Sequence, residues 1–555
     1  MSSRIASQNP RLPFDEAEPA SAGLPDAADR AAAVDPTENV VLEASAGTGK
    51  TRVLVDRYTN LLKLGVDPAN ILAITFTRKA AAEMRERILH NVRQAAELGE
   101  IDPARWRSLR DRLGDIAIST IDAFCLALLR EFPLEADLDP GFTMADETEV
   151  LRLMDEALDR ALRICRHAAM TDASVGLVFA QLGDRRLRSG LATLLDRRLV
   201  ARDALRRFLV HGPADLTPEA ACRAAAERLR ETLRSVEGGL SSFLADGPVH
   251  HPRFALLAGD IRDLISADLS SDEARPLLLH DFRRIAEEVR DHFLTQGGEP
   301  RTRWRYKGPH CDSDEAWKRH RQRATRLAPR ISEDLARFQR DLNVVVSHGV
   351  WRVFEIVLRE YRRTLEAHAV VDFPDALWRT LDLLREMDEF AQSRYLLEAR
   401  YHHLLVDEFQ DTSQAQWELV WRLVEAWGQG LGLAADAPLP PSIFIVGDRK
   451  QSIYGFRDAD VGVLARAASA IAGLRGGPSV RRAIRKSFRA VPALLSFAND
   501  LFDAIEKAGS RDDAFEYGET DRFPLEQVAP ESNPALGLVF GADGEACAEA
   551  IADEI

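Results

Sequence analysis

Residues 44–51, Ala-Ser-Ala-Gly-Thr-Gly-Lys-Thr, constrain this chain more than any other feature, because they join an apolar run to a helical stretch through a glycine-rich turn. Val40-Val41-Leu42 reads as a strand buried on both faces, and the residues from Lys50 onward read as a helix. In such a turn the backbone N–H groups point inward and the helix N-terminus adds a positive end, so the loop suits a phosphate. Ala44, Ser45, Ala46, Gly47, Thr48, Gly49, Lys50 and Thr51 are the expected cradle. Lys50 is expected to reach the β- and γ-phosphates, and the Thr51 hydroxyl to hold Mg²⁺. Ala44 stands where the strict form of this pattern has glycine. The alternative is a glycine-rich turn without a ligand, and the strand and helix on either side weigh against it.

The same grammar recurs along the chain. Ile71 to Ile74, Ile116 to Ile118, Leu404 to Val406 and Ile443 to Val446 are short apolar runs, each ending in polar residues. Continuous apolar strands separated by helices predict a parallel, doubly wound sheet, with ligands beyond the carboxyl ends of its strands. At one such end Asp407-Glu408 supplies an acidic pair: an Asp to hold Mg²⁺ and a Glu to orient the attacking water. A solvated acidic turn is the bland alternative. Paired with a phosphate loop on the same kind of strand end, the acids make the fold class α/β, a P-loop NTPase with a parallel sheet, which family resemblance implies to be RecA-like.

Between about 145 and 370 the strand signal stops and helical spacing takes over, which predicts an inserted all-helical domain. The expected organisation is an N-terminal arm over 1–36, a first part of the sheet domain over 37–145, and a helical DNA-binding insert over 146–368. The second part of the sheet domain follows over 369–480, and 481–555 are expected, by family resemblance, to start a second RecA-like domain that is incomplete. Gly537 to Phe540 reads as a strand and Glu545 to Ile555 as a helix.

Several longer motifs resemble one family, the superfamily 1 helicases of the UvrD/Rep group, nearest the RecB- and AddA-like members. Thr75-Phe76-Thr77-Arg78-Lys79 and Ser119-Thr120-Ile121-Asp122 resemble its DNA-contacting segments, with Asp122 where the family usually has His. Asp407 to Asp411 resembles its acidic motif, and Gly447 to Arg457 the long motif that follows. Ile484 to Arg489 resembles the motif whose aromatic stacks on adenine, with Ser487 where Asn is common. Val371-Asp372-Phe373-Pro374 looks like the segment by which RecB/AddA-like chains return to the motor domain.

The resemblance implies an ATP-dependent DNA helicase or translocase, 3′ to 5′, acting on single-stranded and duplex DNA in recombinational repair. ATP and Mg²⁺ are the implied cofactors. Lys50, Asp407, Glu408, Gln451 and Arg489 would be catalytic, with Gln451 sensing the γ-phosphate and Arg489 an arginine finger. Phe488 would stack on the base. Arg30 lies near the place of the family's adenine-reading Gln. Thr75, Phe76, Thr77, Thr120, Tyr454, Phe456 and Arg457 would contact DNA. A second helicase/nuclease subunit is an expected partner. No motif of the family's later part follows Arg489, so the chain is expected to be a fragment or a degenerate member.

Composition adds little. The net charge of −15 argues against indiscriminate coating of nucleic acid, but not against a narrow groove that holds one strand. Five scattered cysteines suggest neither a disulfide framework nor a metal site, and no signal pattern or spanning run is seen, which reads as cytoplasmic, in contact with the nucleoid and not with a membrane. Residues 301–330 gather ten Arg and Lys around Trp304, Tyr306 and Trp317, either a nucleic-acid surface or a solvated helix face. Two further functions stay open: a non-motor DNA-binding subunit with a vestigial or incomplete ATPase site, and an RNA motor.

Overall fold

The computed structural model describes residues 23–210, 212–213, 215–267, 269, 275–304, 308–386, 400–429, 437–474, 480–506, 517–519, 521–525, 537 and 539–554. The chain divides into two compact units, Met1–Gly141 with Phe373–Ile555, and Phe142–Asp372.

The first unit is built on a six-stranded sheet: β1 (Val40–Ala44), β2 (Ile71–Thr75), β3 (Ile118–Thr120), β6 (His403–Val406), β7 (Ser442–Gly447) and β8 (Arg481–Ile484). The order across it is β3-β2-β6-β7-β1-β8 and every pairing is parallel. All residues of β2, β6 and β7 are buried, which is why these strands are unbroken apolar runs rather than alternating ones. The helices of this unit are α1 (Ala27–Val34), α2 (Lys50–Lys63), α3 (Arg78–Glu97), α4 (Pro103–Asp111), α5 (Ile121–Glu131), α14 (Phe373–Glu386), α15 (Gln414–Val424), α16 (Gly462–Ala472), α17 (Pro492–Ala504) and α18 (Gly544–Glu554). Leu54, Tyr58 and Leu61 of α2 and Met84, Ile88 and Val92 of α3 close over one face of the sheet. Within that core Arg57 is fully buried and donates to the carbonyls of Ala33, Asp35 and Glu38 at 2.5–3.0 Å and to Ser442 Oγ at 3.2 Å. It thereby ties the chain between α1 and β1 to the sheet.

Three expectations change here. Residues 1–22 of the expected arm lie outside the described residues, whereas Ala27–Val34 form α1, packed against α2 and β8. An alanine-rich helix with only Ala33 buried has no apolar stripe to betray it. Residues 481–484, expected to begin a second domain, form β8 and pair with β1 from Val41↔Arg481 to Ala44↔Ile484, so they extend the first sheet. The expected strand at 537–540 is not formed at 537, 539 or 540, while Gly544–Glu554 is helical.

The second unit is helical: α6 (Glu147–Ala168), α7 (Ala173–Asp196), α8 (Arg198–Val210), α9 (Pro218–Arg234), α10 (Leu240–Ala245), α11 (Pro252–Ser266), α12 (Arg275–Phe293) and α13 (Asp314–Ala367). A two-stranded parallel ribbon, β4 (Thr143–Met144) with β5 (Val370–Val371), closes it where the chain enters and leaves. The 54-residue α13 is its spine, roughly 80 Å long at 1.5 Å per residue. Two apolar cores form along it, one around Leu229, Phe254, Phe293 and Ile331, the other around Leu153, Leu191, Val353 and Tyr361. Gly183, at φ +68°, breaks α7 into two pieces. Near the ribbon, buried Arg198 pairs with buried Asp372, whose other oxygen accepts from Tyr361 Oη at 2.6 Å.

Of the basic stretch 301–330, residues 314–330 lie on α13. Arg319 and Arg323 pair with Asp246, and Arg326 with Glu237. Trp317 is buried and stacks on His320, with Trp304 edge-on to it at 5.8 Å. Arg305, Tyr306 and Lys307 lie outside the described residues.

Candidate nucleotide and nucleic-acid site

Strand order places three loops side by side. β7 lies between β6 and β1, with Val406 opposite Ile445 and Gly447 opposite Glu43, so their carboxyl ends finish together. The loop after β1 holds its own shape: Thr48, fully buried, donates through Oγ1 to Ser45 O at 2.7 Å. Gly47 sits at φ +73°, and a Cβ there would lie 2.5 Å from that of Arg489, so both backbone and space demand glycine. Lys50, the first residue of α2, reaches across to the other two loops. Its Nζ donates to Glu408 Oε2 at 3.1 Å and to Gln451 Oε1 at 3.4 Å.

The acids around Lys50 form a connected set. Glu408 adopts a left-handed φ of +49°, and Gln410 Nε2 donates to Glu408 Oε2 at 2.8 Å. Gln410 Oε1 accepts from Asp448 N at 2.9 Å, and Asp448 Oδ2 accepts from Gln451 Nε2 at 2.6 Å. Gly447 makes this approach feasible, since a Cβ there would lie 2.8 Å from Gln410 Oε1. Asp407 is buried; that burial, with the Glu408 carboxylate beside it, pushes its carboxyl up to about 6. Burial and then Glu408 push Asp411 up to about 6 as well, against bonds from Gln410 and the Ile453 backbone, and among the described residues its buried Oδ1 has no hydrogen-bond partner. Carboxylates so crowded and desolvated favour a cation, and a hard carboxylate oxygen such as that of Asp407 suits Mg²⁺ sharing its remaining positions with phosphate and water. Among the described residues no group of three or more His, Cys, Asp or Glu forms a closed metal cage, which a site of that kind does not need.

Beyond the end of β8 the chain folds against the phosphate loop. Phe488 N donates to Gly47 O at 2.8 Å and Ser487 Oγ to Ala46 O at 3.1 Å. Arg30 of α1 clamps the two together: Nη1 donates to Thr48 O at 2.9 Å, Nη2 to Lys486 O at 3.4 Å, and its guanidinium lies 5.3 Å from the Phe488 ring centre. Asp26 orients Arg30 at 2.8 Å and also accepts from the N–H groups of Arg485 and Lys486. Burial opposes the Asp26 charge, but these bonds outweigh it and hold the carboxyl below its ordinary range. A cleft of about 510 Å³ opens beside this clamp, lined by Leu24, Arg30, Arg52, Asp56 and Phe488 among others.

The residues expected to meet nucleic acid separate into two kinds. Phe76 and Tyr454 lie 4.8 Å apart, Tyr454 and Phe456 5.6 Å apart, and the Arg457 guanidinium is within 6 Å of both rings of the latter pair. Phe456 is 64% exposed and Ile453 70%, so this group faces outward. Thr77 and Thr120 instead cap helices, accepting from Ala80 N and Ala123 N. Thr75 is buried, so its side chain is not presented at all. Burial pushes the Asp122 carboxyl up, against the pull of Arg457 and Arg78.

The family model of the UvrD/REP helicase N-terminal domain matches residues 26–471, a span that holds the phosphate loop, the acidic pair and the loop after β7. The chain belongs to this family. Among curated relatives, the ATP-dependent helicase/nuclease subunit of Pelotomaculum thermopropionicum is 31% identical, over 84% of this chain and 37% of the relative. That of Exiguobacterium sibiricum is 29% identical, over 84% of this chain and 39% of the relative. The protein of the same name from Levilactobacillus brevis is 31% identical over 76% and 34%. This chain therefore spans less than half the length of those relatives.

Lys50, Glu408 and Gln451, taken from three separate motifs, meet in hydrogen-bonding distance. Sequence reasoning missed Gln410 and Asp448 as links between those motifs, and Asp26 as the partner of Arg30. Gln410 and Asp448 stand inside recognised motifs, so their position was a signal; their partners were not. Among the described residues no helix is long and apolar enough to cross a membrane.

Proposed function

We propose that this chain is the nucleotide-binding portion of an ATP-dependent DNA helicase or translocase, moving 3′ to 5′ by family resemblance and serving recombinational repair. The observation that carries the reading is Lys50, held at once by the loops that follow β6 and β7. One cation touching Glu408 of the acidic pair and the Gln of the next motif suits a γ-phosphate site.

In this reading Thr51 and Asp407 would hold Mg²⁺, which would neutralise phosphate charge, and bound ATP would supply the phosphoanhydride whose cleavage drives movement. Lys50 exchanges Glu408 for phosphate oxygens. Glu408, released from the ammonium but still held by Gln410, orients the attacking water. Gln451 has a second amide N–H to offer the γ-phosphate while Asp448 holds the first. Arg489, exposed beside Gly47, stabilises developing charge. The base enters the cleft beside Phe488. Phe76, Tyr454 and Phe456 offer faces on which any base can stack, with Arg457 beside them for phosphate, which gives grip independent of sequence.

The relatives' printed name pairs helicase with nuclease and describes one subunit of a larger whole; for this chain DNA is the proposed substrate and a second subunit the proposed partner, in the cytoplasm beside the chromosome. ATP hydrolysis by the chain, with and without single-stranded DNA, tests the reading with Lys50→Ala as control. DNA-stimulated turnover lost in the variant is expected. Turnover unchanged by Lys50→Ala would remove the site assignment, and stimulation by RNA equal to that by DNA would change the substrate.

A further inference from the structure

The loop after β7 is gripped from outside the motifs. Asp448 Oδ1 is 3.0 Å from Lys450 Nζ and also accepts from Lys450 N at 3.1 Å, while its Oδ2 holds Gln451. The same ammonium lies 3.0 Å from Asp521 Oδ1, a buried carboxylate far along the chain. Asp521 Oδ2 accepts from Gly518 N at 3.1 Å and lies 4.0 Å from Arg449, which also faces Glu43 at 3.5 Å.

The segment that presents Asp521 is itself pinned. Asn499 of α17, buried, accepts from Tyr517 Oη at 2.6 Å and Phe523 N at 2.9 Å, and donates to Phe523 O at 3.0 Å. Arg485 Nη1, just past β8, donates to Glu519 O at 3.0 Å.

We propose that Asp521 is a positioning residue for the γ-phosphate site, acting through Lys450, Asp448 and Gln451. The path is continuous: Asp521 to Lys450, Lys450 to Asp448, Asp448 to Gln451, Gln451 to Lys50. Its logic is charge sharing. Lys450, largely enclosed, is balanced between two carboxylates, so Asp448 keeps an oxygen fully available to the Gln451 amide. Without Asp521 the ammonium turns wholly to Asp448, and the Asp448 oxygen that orients Gln451 tilts with it. Gln451 then no longer presents its second N–H at a fixed place. The segment after β8 thus sets the sensitivity of the site to the third phosphate. This inference rests on the nucleotide-site reading above.

The test is the ratio of affinities for a non-hydrolysable Mg²⁺–ATP analogue and Mg²⁺–ADP, measured by calorimetry on the full chain. The wild type is expected to prefer the triphosphate, and Gln451→Ala to lose most of that preference. Asp521→Asn should lower it about fivefold with ADP affinity unchanged, and add nothing in the Gln451→Ala background. Lys450→Met breaks the same path from the other side and should give the same pattern, which covers the case that Asp521→Asn does not fold. General loosening would weaken both nucleotides equally, and that result, or a ratio within twofold of wild type, overturns the proposal. So does full preference in Gln451→Ala. Wild-type chain that binds neither nucleotide, or binds both as well with Lys50→Ala, overturns the nucleotide-site reading first and this inference with it.

Discussion

Two buried groups of charges, one in each unit, serve opposite ends. In the helical unit Arg198, Asp372 and Tyr361 close on one another near the ribbon, the guanidinium also bonding Leu195 O at 3.0 Å. In the sheet unit Asp407 and Asp411 are buried beside Glu408 with their carboxyls pushed up to about 6, and one Asp411 oxygen has no hydrogen bond among the described residues. A closed buried pair fixes architecture, and breaking it leaves a charge stranded. An under-satisfied acidic cluster costs stability and is kept where a cation completes it. Burial alone therefore does not mark a functional charge. The state of its partners does.

The contrast can be broken most severely at Arg198. Arg198→Ala should destabilise the helical unit by about 3–5 kcal/mol, because Asp372 stays buried without its cation. The joint change Arg198→Met with Asp372→Leu should recover most of that loss in denaturant unfolding. If the double variant is no better than the single one, the pair is more than a closed architectural contact.

Acidity sharpens the other half. A carboxyl whose folded value lies above its ordinary 3.8 favours the fold when protonated. The contribution of Asp407 and Asp411 to stability is thus intact below about 4 and lost as pH rises through about 6. Mg²⁺-dependent nucleotide affinity should run the other way, falling as pH drops through about 6, because the cation needs the anion. Calorimetry across pH 5–8 checks it; affinity flat through that window would mean Asp407 does not hold the metal.

Phe456→Ala should weaken single-stranded DNA by about 1–3 kcal/mol in fluorescence titrations, with nucleotide affinity unchanged, if this exposed ring stacks on a base. The smallest effect is expected at Thr120. Its hydroxyl caps α5, so Thr120→Ala should cost about 1 kcal/mol of stability. A DNA affinity that falls further than that loss explains would restore Thr120 as a direct contact.

Much of the sheet was legible because its information is local. A both-face-buried strand is an apolar run, and the phosphate loop needs its glycines and Lys50 within a few residues of one another. Asp407-Glu408 is adjacent in sequence for the same reason. α1 escaped notice because alanine leaves no stripe, and Arg30 alone did not announce that Asp26 orients it. β8 was assigned to the wrong domain because pairing with β1 is a long-range choice. For the stretch with Trp304 and Trp317 the sequence left a nucleic-acid surface and a helix face both open, and only packing shows Trp317 turned inward.

The sequence by itself determined the parallel sheet, the helical insert, the glycine-rich loop after β1 and the identity of the acids at the strand ends. These follow from periodicity and from residues close enough to be read together. Only the tertiary structure decided that β7 sits between β6 and β1, and so which side chain meets Lys50. Only it joined Asp521 to Lys450 and set Thr120 to capping a helix. Hydrogen bonds reach about 3 Å whatever the separation along the chain, and a sequence carries no distance until the sheet order supplies one.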